Sequence, residues 1–155
     1  MSAFFGQFEQ FLTESLFGLC VMAVVVLLNI FAFMEVTLAY RRSIDPDTCK
    51  GRYFEMMKFI SFVMLLAISQ LISLFVWVVA LTGFGLVSGW LPALLFTASF
   101  FTSVGNFTEA LPSGWTLIPS LIAFSGLFSF ALATAATISM GRLLTEQLEK
   151  HKNRN

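Results

Sequence analysis

A run of four residues in the sequence is of a kind that can coordinate a cation, namely Thr102, Ser103, Val104 and Gly105. Gly105 permits backbone angles that other residues rarely adopt, and small or β-branched residues precede it. Such a segment can aim successive carbonyl oxygens to one side, where they replace the hydration shell of a cation. The Thr102 hydroxyl adds one more oxygen. The segment therefore predicts coordination of a cation.

The rest of the sequence offers no catalytic constellation. No grouping of serine, cysteine and histidine suggests a nucleophile, and no glycine loop of the phosphate-binding type occurs. Cys20 and Cys49 have neither metal-ligand nor disulfide-framework spacing. A formal net charge of zero gives no argument for nucleic-acid binding. We therefore expect no enzyme, no resident cofactor and no nucleic-acid partner.

The elements that must position residues 102–105 follow from a composition that is 57% hydrophobic and only 12% charged. A membrane-spanning helix needs about 20 apolar residues. Three stretches are long enough, namely 16–40, 59–82 and 115–140. The stretch Trp90–Phe101 is too short to cross, so we expect it to enter the bilayer as a short helix with Ser88 or Gly89 as its cap. Residues 102–108 should then turn back as an extended strand. The predicted fold is an all-α integral membrane protein.

The distribution of all nine Lys and Arg residues supports this topology. They lie only in the 41–58 loop and in the 141–155 tail. These regions lie on the same side of the membrane only if an even number of segments crosses between them, so residues 90–101 must not cross. The positive-inside rule makes that side the cytoplasm. We expect a multi-pass protein of a plasma or inner membrane, with the N-terminus outside and the C-terminus cytoplasmic. Residues 1–15 predict an amphipathic helix on the outer leaflet of the lipid bilayer.

In this order of elements, residues 59–140 resemble the pore domain of potassium-channel-like cation channels. Family members carry Thr-Val-Gly-Tyr-Gly-Asp after a short pore helix, and here Ser103-Val104-Gly105-Asn106-Phe107-Thr108 follows Thr102. The resemblance implies an outer helix at 59–82, a pore helix at 90–101, a filter at 102–108 and an inner helix at 115–140. It further implies ion-coordinating positions at Thr102, Ser103, Val104, Gly105 and Asn106, with a filter mouth at Phe107, Thr108 and Glu109. Residues 16–40 are an additional helix.

The chain holds one such unit, so the resemblance implies a ring of four identical chains, a homotetrameric potassium-channel-like pore. The single-glycine filter is also similar to those of Trk-type and Ktr-type potassium transport subunits, which repeat the unit four times in one chain. Gly126 is either a hinge of the inner helix or a site of close helix packing. Phe130 and Thr134, one turn apart, could face the cavity.

Two polar residues inside the predicted spans, one acid and one amide, are expected to form specific contacts. We expect Glu35 to pair with Arg41, Arg42 or Lys58 near the cytoplasmic interface, and Gln70 to form a hydrogen bond between helices.

Two alternatives to a channel stay open. One is a non-conducting membrane scaffold or partner subunit, whose hairpin loop only buries apolar surface. The other is a single-repeat cation transport subunit that depends on a cytoplasmic regulator bound to the 41–58 loop and the tail. The first predicts that Gly105 tolerates Ala or Val and that no ion flux occurs, and the second predicts that the regulator copurifies with the chain.

Overall fold

The computed structural model describes residues 2–44, 52–105, 111–112 and 115–154, and side chains within 8–44, 53–105, 111–112 and 115–149. All regular secondary structure in those residues is helical. The helices in chain order are α1 (Ser2–Ser43), α2 (Arg52–Gly83), α3 (Trp90–Phe101) and α4 (Ile118–Arg154).

Three of these helices are long and apolar enough to cross a membrane, which confirms the three predicted spans. The candidate spans are Phe8–Ser43, Tyr53–Gly83 and Ile118–Glu149. Many large apolar side chains point outward from them. Lipid tails are as apolar as these side chains, so the exposure has no cost in a bilayer. The chain therefore has the make-up of an integral membrane protein.

The helix bounds differ from the predicted ones at several ends. No break separates residues 2–15 from 16–40, because α1 runs through both. α2 begins at Arg52 rather than at residue 59, and α4 begins at Ile118 rather than at residue 115 and continues through most of the tail. α3 has the predicted bounds, Trp90–Phe101, and Gly89 is its N-cap.

The long helices form a bundle with two distinct ends. At the loop end, the Phe17 ring of α1 lies 4.3 Å from the Phe84 ring and 5.7 Å from the Trp115 ring, centroid to centroid. At the basic end, the Lys58 ammonium donates to the Ser43 carbonyl at 3.2 Å. α2 therefore ends, and α4 begins, at the same end of the bundle. The connection that contains α3 leaves and rejoins the bundle there.

The bundle interior has an apolar cluster near each end and a polar layer between them. The loop-end cluster includes Val25, Leu74, Trp77, Val78, Leu81, Phe96, Phe101 and Ile122. The basic-end cluster is built on Phe33, Tyr40, Leu66 and Met140. The polar layer consists of Asn29, Gln70, Ser73 and Ser129, all buried. Residues of α3 belong only to the loop-end cluster, so α3 lies beside the loop-end half of the bundle.

Candidate functional site

The short helix α3 packs against α2 and α4 well below the loop end. At its start, the Trp90 ring stacks on Phe75 of α2 with centroids 5.9 Å apart. At its end, the Phe101 ring lies 6.0 Å from the Phe130 ring of α4, and the Phe101 backbone touches Gly126. Gly126 follows Ile118 by eight residues, which is about 12 Å along a helix at 1.5 Å per residue. The C-terminus of α3 is therefore buried in the bundle at that depth.

The sequence of α3 explains why it can sit there. Its inward face consists of Ala93, Phe96, Thr97 and Phe101, each at most 3% exposed. Pro92 lies in the first turn, where a missing N–H removes no helical bond. Gly89 precedes the helix with φ +103°, an angle that favours glycine, and no side chain caps the N-terminus.

The residues that follow α3 form a tight helix-ending turn. The Ser103 N–H donates to the Phe100 carbonyl at 2.9 Å, and the Val104 N–H donates to the Ser99 carbonyl at 2.8 Å. With Ser103 at φ 60°, this pair of bonds is the Schellman arrangement that closes helices. The Gly105 N–H also donates to Ser99, at 3.0 Å. The prediction of an extended strand starting at Thr102 is therefore wrong for residues 102 and 103, because their N–H groups fold back onto α3.

The residues of this turn are exposed. Thr102, Ser103, Val104 and Gly105 are all exposed, Val104 by 70%. Within the described residues, no hydrogen bond reaches their carbonyl oxygens. The Thr102 hydroxyl donates back to the Ala98 carbonyl at 2.7 Å, so only its lone pairs are available to a ligand. The other predicted filter and mouth residues, Asn106, Phe107, Thr108 and Glu109, lie outside the described part of the chain.

Gly126 is a close-packing residue. A Cβ added to it would lie 2.9 Å from the Phe101 carbonyl carbon and closer still to its oxygen. Real Cβ atoms essentially never approach other heavy atoms below 3.0 Å. Glycine is therefore what allows the end of α3 to reach α4, as small residues commonly do in membrane bundles. Of the two interpretations left open by the sequence, the geometry favours packing.

The two predicted cavity residues lie on the same helix, next to the end of α3. Phe130 is 44% exposed and contacts Phe101, and Thr134 is exposed one turn further on. The Thr134 hydroxyl donates to the Phe130 carbonyl at 2.8 Å. This face of α4 is thus open beside the Thr102–Gly105 turn.

A buried carboxylate near the loop end holds the start of α4. Glu14 of α1 is 1% exposed, and its Oε1 accepts hydrogen bonds from the Leu117 N–H and, at 3.2 Å, from the Ile118 N–H. These are free N–H groups of a helix start, and Pro119 has none to offer. A negative charge is also favourable at this positive end of the helix dipole. Glu14 therefore caps α4 from another helix, a role that its position in the sequence does not predict.

The polar layer ties the three long helices together. The Asn29 amide donates to the hydroxyls of Ser73 at 2.7 Å and Ser129 at 3.0 Å. Gln70 donates to the Ser129 carbonyl at 3.3 Å, which confirms the predicted interhelical bond. Nearer the loop end, the Trp77 indole donates to the Ser125 hydroxyl at 2.8 Å. Asn29 is not among the residues predicted to form such bonds, although a lone amide inside an apolar run is their usual signal.

The basic end differs from the prediction for Glu35. Lys58 forms an ion pair with Glu55 at 3.0 Å, the only ion pair among the described residues. Glu35 is exposed and, within that part of the chain, forms no ion pair with Arg41, Arg42 or Lys58. The predicted pairing is therefore absent, since Lys58 finds its acid one turn away on its own helix.

Taken together, the site is an exposed, non-helical turn on the end of a half-length helix, beside an open face of α4. The oxygen atoms of residues 102–105 are backbone carbonyl and hydroxyl oxygens. The described residues contain no group of His, Cys, Asp and Glu that could hold a metal ion. Comparison with protein-family models, with curated proteins and with solved structures finds no match.

Proposed function

We propose that this protein is a homotetrameric cation channel in which the Thr102–Gly105 turns of four chains surround the ion path. The observation that carries the proposal is exposed, non-helical backbone directly after Phe101, which packs on α4 about 12 Å along that helix from its start. Backbone of this kind is not tolerated against lipid, because its polar groups find no partner there. It is tolerated where protein buries it or where it lines a water-filled cavity.

A closed ring of identical chains would bury one side of this backbone in protein and expose the other side to a water-filled cavity. Each chain covers the turn of its neighbour, and the four turns face a common aqueous axis. The C-terminal end of α3 carries the negative pole of its helix dipole toward that axis, which favours a cation over an anion. Phe130 and Thr134, on the open face of α4, would line the cavity on the basic side of the turn.

Ion coordination falls to the carbonyl oxygens of residues 102–106, with the Thr102 hydroxyl as an additional ligand. Phe107, Thr108 and Glu109 would form the mouth, where four copies of Glu109 concentrate cations. The permeant ions are potassium and, to a smaller extent, sodium, since the second filter glycine of the resembled family is Phe107 here. In this proposal α1 is an added helix that braces α4 through Glu14.

Ion flux into liposomes tests the proposal directly. The purified full-length chain is reconstituted with a potassium gradient, and potassium, sodium and chloride fluxes are compared. We expect cation flux with potassium at least as fast as sodium, and no chloride flux. A chloride flux equal to the potassium flux would contradict a cation-selecting turn.

A pair of glycine substitutions separates a filter from a mere loop. Gly105 and Gly85 both have φ +67° and open space where a Cβ would lie, so alanine imposes the same strain of about 1–2 kcal/mol at each. Gly85 lies in the turn after α2. We expect Gly105→Ala to change the potassium-to-sodium flux ratio and Gly85→Ala to leave it unchanged. Equal behaviour of the two variants would place ion selection elsewhere.

Native mass in detergent tests the ring of four separately, and a stable dimer or trimer would contradict this arrangement. A non-conducting scaffold predicts an assembly without flux in which Gly105→Ala is silent. A regulator-dependent transport subunit predicts that a cytoplasmic protein copurifies with the chain and that flux requires it.

A further inference from the structure

An apolar groove of about 380 Å³ lies between α1 and α4 in the basic half of the bundle. Met34 and Leu38 of α1 form one wall, and the small residues Ala135 and Ala136 of α4 leave the space open. α2 and α3 contribute nothing to the lining. The groove therefore opens on the outer surface of the two helices, at membrane depth.

One charged side chain, Arg41, lines the basic end of this groove. Arg41 is exposed and forms no ion pair within the described residues, whereas Lys58 is bound to Glu55. Glu35 precedes Arg41 by six residues and is not part of the lining. Within the described residues, the groove is thus lined mostly by apolar side chains and carries at its end one guanidinium that forms no ion pair with them.

We infer that this groove binds an anionic phospholipid, with an acyl chain along Met34, Leu38 and the two alanines and the phosphate on Arg41. A guanidinium matches a phosphate with two parallel hydrogen bonds, and this charge-assisted contact has no competitor among the described residues. Basic side chains between transmembrane helices are known attractors of anionic headgroups on the cytoplasmic side. Since every Lys and Arg of the chain belongs to that predicted side, the lipid comes from the cytoplasmic leaflet.

A second copy of the chain suits the groove less well. Two copies related by a two-fold axis along the membrane normal would meet with the same patch, and would place one Arg41 against the other. Like charges at short range oppose that contact, whereas a phosphate neutralises the guanidinium. Lipid binding here does not rest on the proposed channel activity, because the groove lies on the α1 side of α4, away from the α3 turn.

The test measures lipid retention by the full-length chain. The delipidated protein is titrated with phosphatidylglycerol or with phosphatidylcholine of the same acyl chains, and bound lipid is counted by native mass spectrometry. Both lipids carry a phosphate, but the quaternary ammonium of phosphatidylcholine cancels its net charge and repels the Arg41 guanidinium. We expect phosphatidylglycerol to bind about fivefold more tightly, which corresponds to about 1 kcal/mol for one basic side chain near an anionic lipid. Equal binding of the two lipids would overturn the inference.

Matched variants locate the lipid. Arg41→Gln should lose the preference for phosphatidylglycerol, while Arg42→Gln, which removes the neighbouring charge outside the groove lining, should keep it. Ala135→Leu fills the groove and should weaken lipid binding, while Ala131→Leu, exposed on α4 outside the lining, should not. Equal effects within either pair would mean general attraction to the surface and would overturn the assignment. Disulfide cross-linking between chains carrying Leu38→Cys, with Cys20 and Cys49 replaced by Ser, would assign the groove to a second copy instead.

Discussion

Substitution of Gly126 by alanine examines the contact that sets the depth of α3. The added Cβ would lie 2.9 Å from the Phe101 carbonyl carbon and nearer to its oxygen, whereas ordinary contacts are 3.4–4 Å. The obstacle is backbone, so rotation of a side chain cannot relieve the overlap. Either the end of α3 moves away from α4, or both helices shift.

The expected cost can be separated from the effect of alanine on the helix itself. Overpacking of this kind costs about 1–3 kcal/mol, while alanine in place of glycine stabilises a helix by about 1 kcal/mol. Gly141 lies on the same helix with nothing within 4 Å of the position of an added Cβ. Gly141→Ala therefore shows only the stabilisation of the helix by alanine, without overpacking. We expect Gly126→Ala to be less stable than Gly141→Ala by about 1–3 kcal/mol, the overpacking cost.

Reversible unfolding of the purified protein in mixed micelles, with increasing dodecyl sulfate, measures this difference. A gap of about 1.4 kcal/mol corresponds to a tenfold change in the folding equilibrium. If Gly126→Ala proved as stable as Gly141→Ala, α3 would not rest on α4 as described. A hinge role would then explain Gly126 better, and it would be visible as altered ion flux at unchanged stability.

Three further substitutions test the contacts that tie the bundle together. Glu14→Ala removes the cap of α4 and should lower the free energy of unfolding by about 1–2 kcal/mol, while Glu9→Ala, at an exposed position, should change it by at most about 0.5 kcal/mol. Asn29→Ala removes its bonds to two other helices, each about 0.6 kcal/mol in a membrane. Ser61→Ala is its control, since that hydroxyl bonds only to its own helix. Ser125→Ala removes the acceptor of the Trp77 indole N–H and leaves the buried ring in place, so we expect a loss of about 1 kcal/mol, again with Ser61→Ala as the control. Unfolding in the same mixed micelles measures all three, and equal losses for a variant and its control would contradict the contact concerned.

Hydropathy and segment length were sufficient to predict the three spans and the short helix α3. The bilayer thickness fixes how long an apolar stretch must be to cross, so hydropathy locates the ends of each apolar stretch. It does not locate where helices end. Residues 52–58 contain three charged side chains yet are helical, supported by the Glu55–Lys58 pair at i, i+3. Residues 2–15 likewise continue α1, since none of them is a proline that would stop a helix.

The contacts of Glu14, Asn29 and Gly126 could not be predicted in the same way. Glu14 and Asn29 of α1 bond to residues about 100 positions later in the chain. Gly126 of α4 contacts the end of α3. Each contact depends on how two helices are placed relative to each other. A single sequence shows that a polar or small residue lies in an apolar run, and this predicts a contact without naming its partner. The partner becomes known only when the rotation of each helix about its axis is fixed.

The difference between the predicted strand and the observed turn after α3 has a physical cause that bears on the proposed pore. In one chain, the N–H groups of Ser103, Val104 and Gly105 have α3 itself as their nearest acceptor, and they bond to Phe100 and Ser99. Those bonds close the helix, and no described residue donates a hydrogen bond to the carbonyls of residues 102–105. In a ring of chains, water and neighbouring backbone would offer those N–H groups other acceptors, so the turn could open without leaving unpaired groups. The bonds from residues 102–105 to the carbonyls of Ala98, Ser99 and Phe100 must therefore break if these residues are to line an ion path as an extended strand.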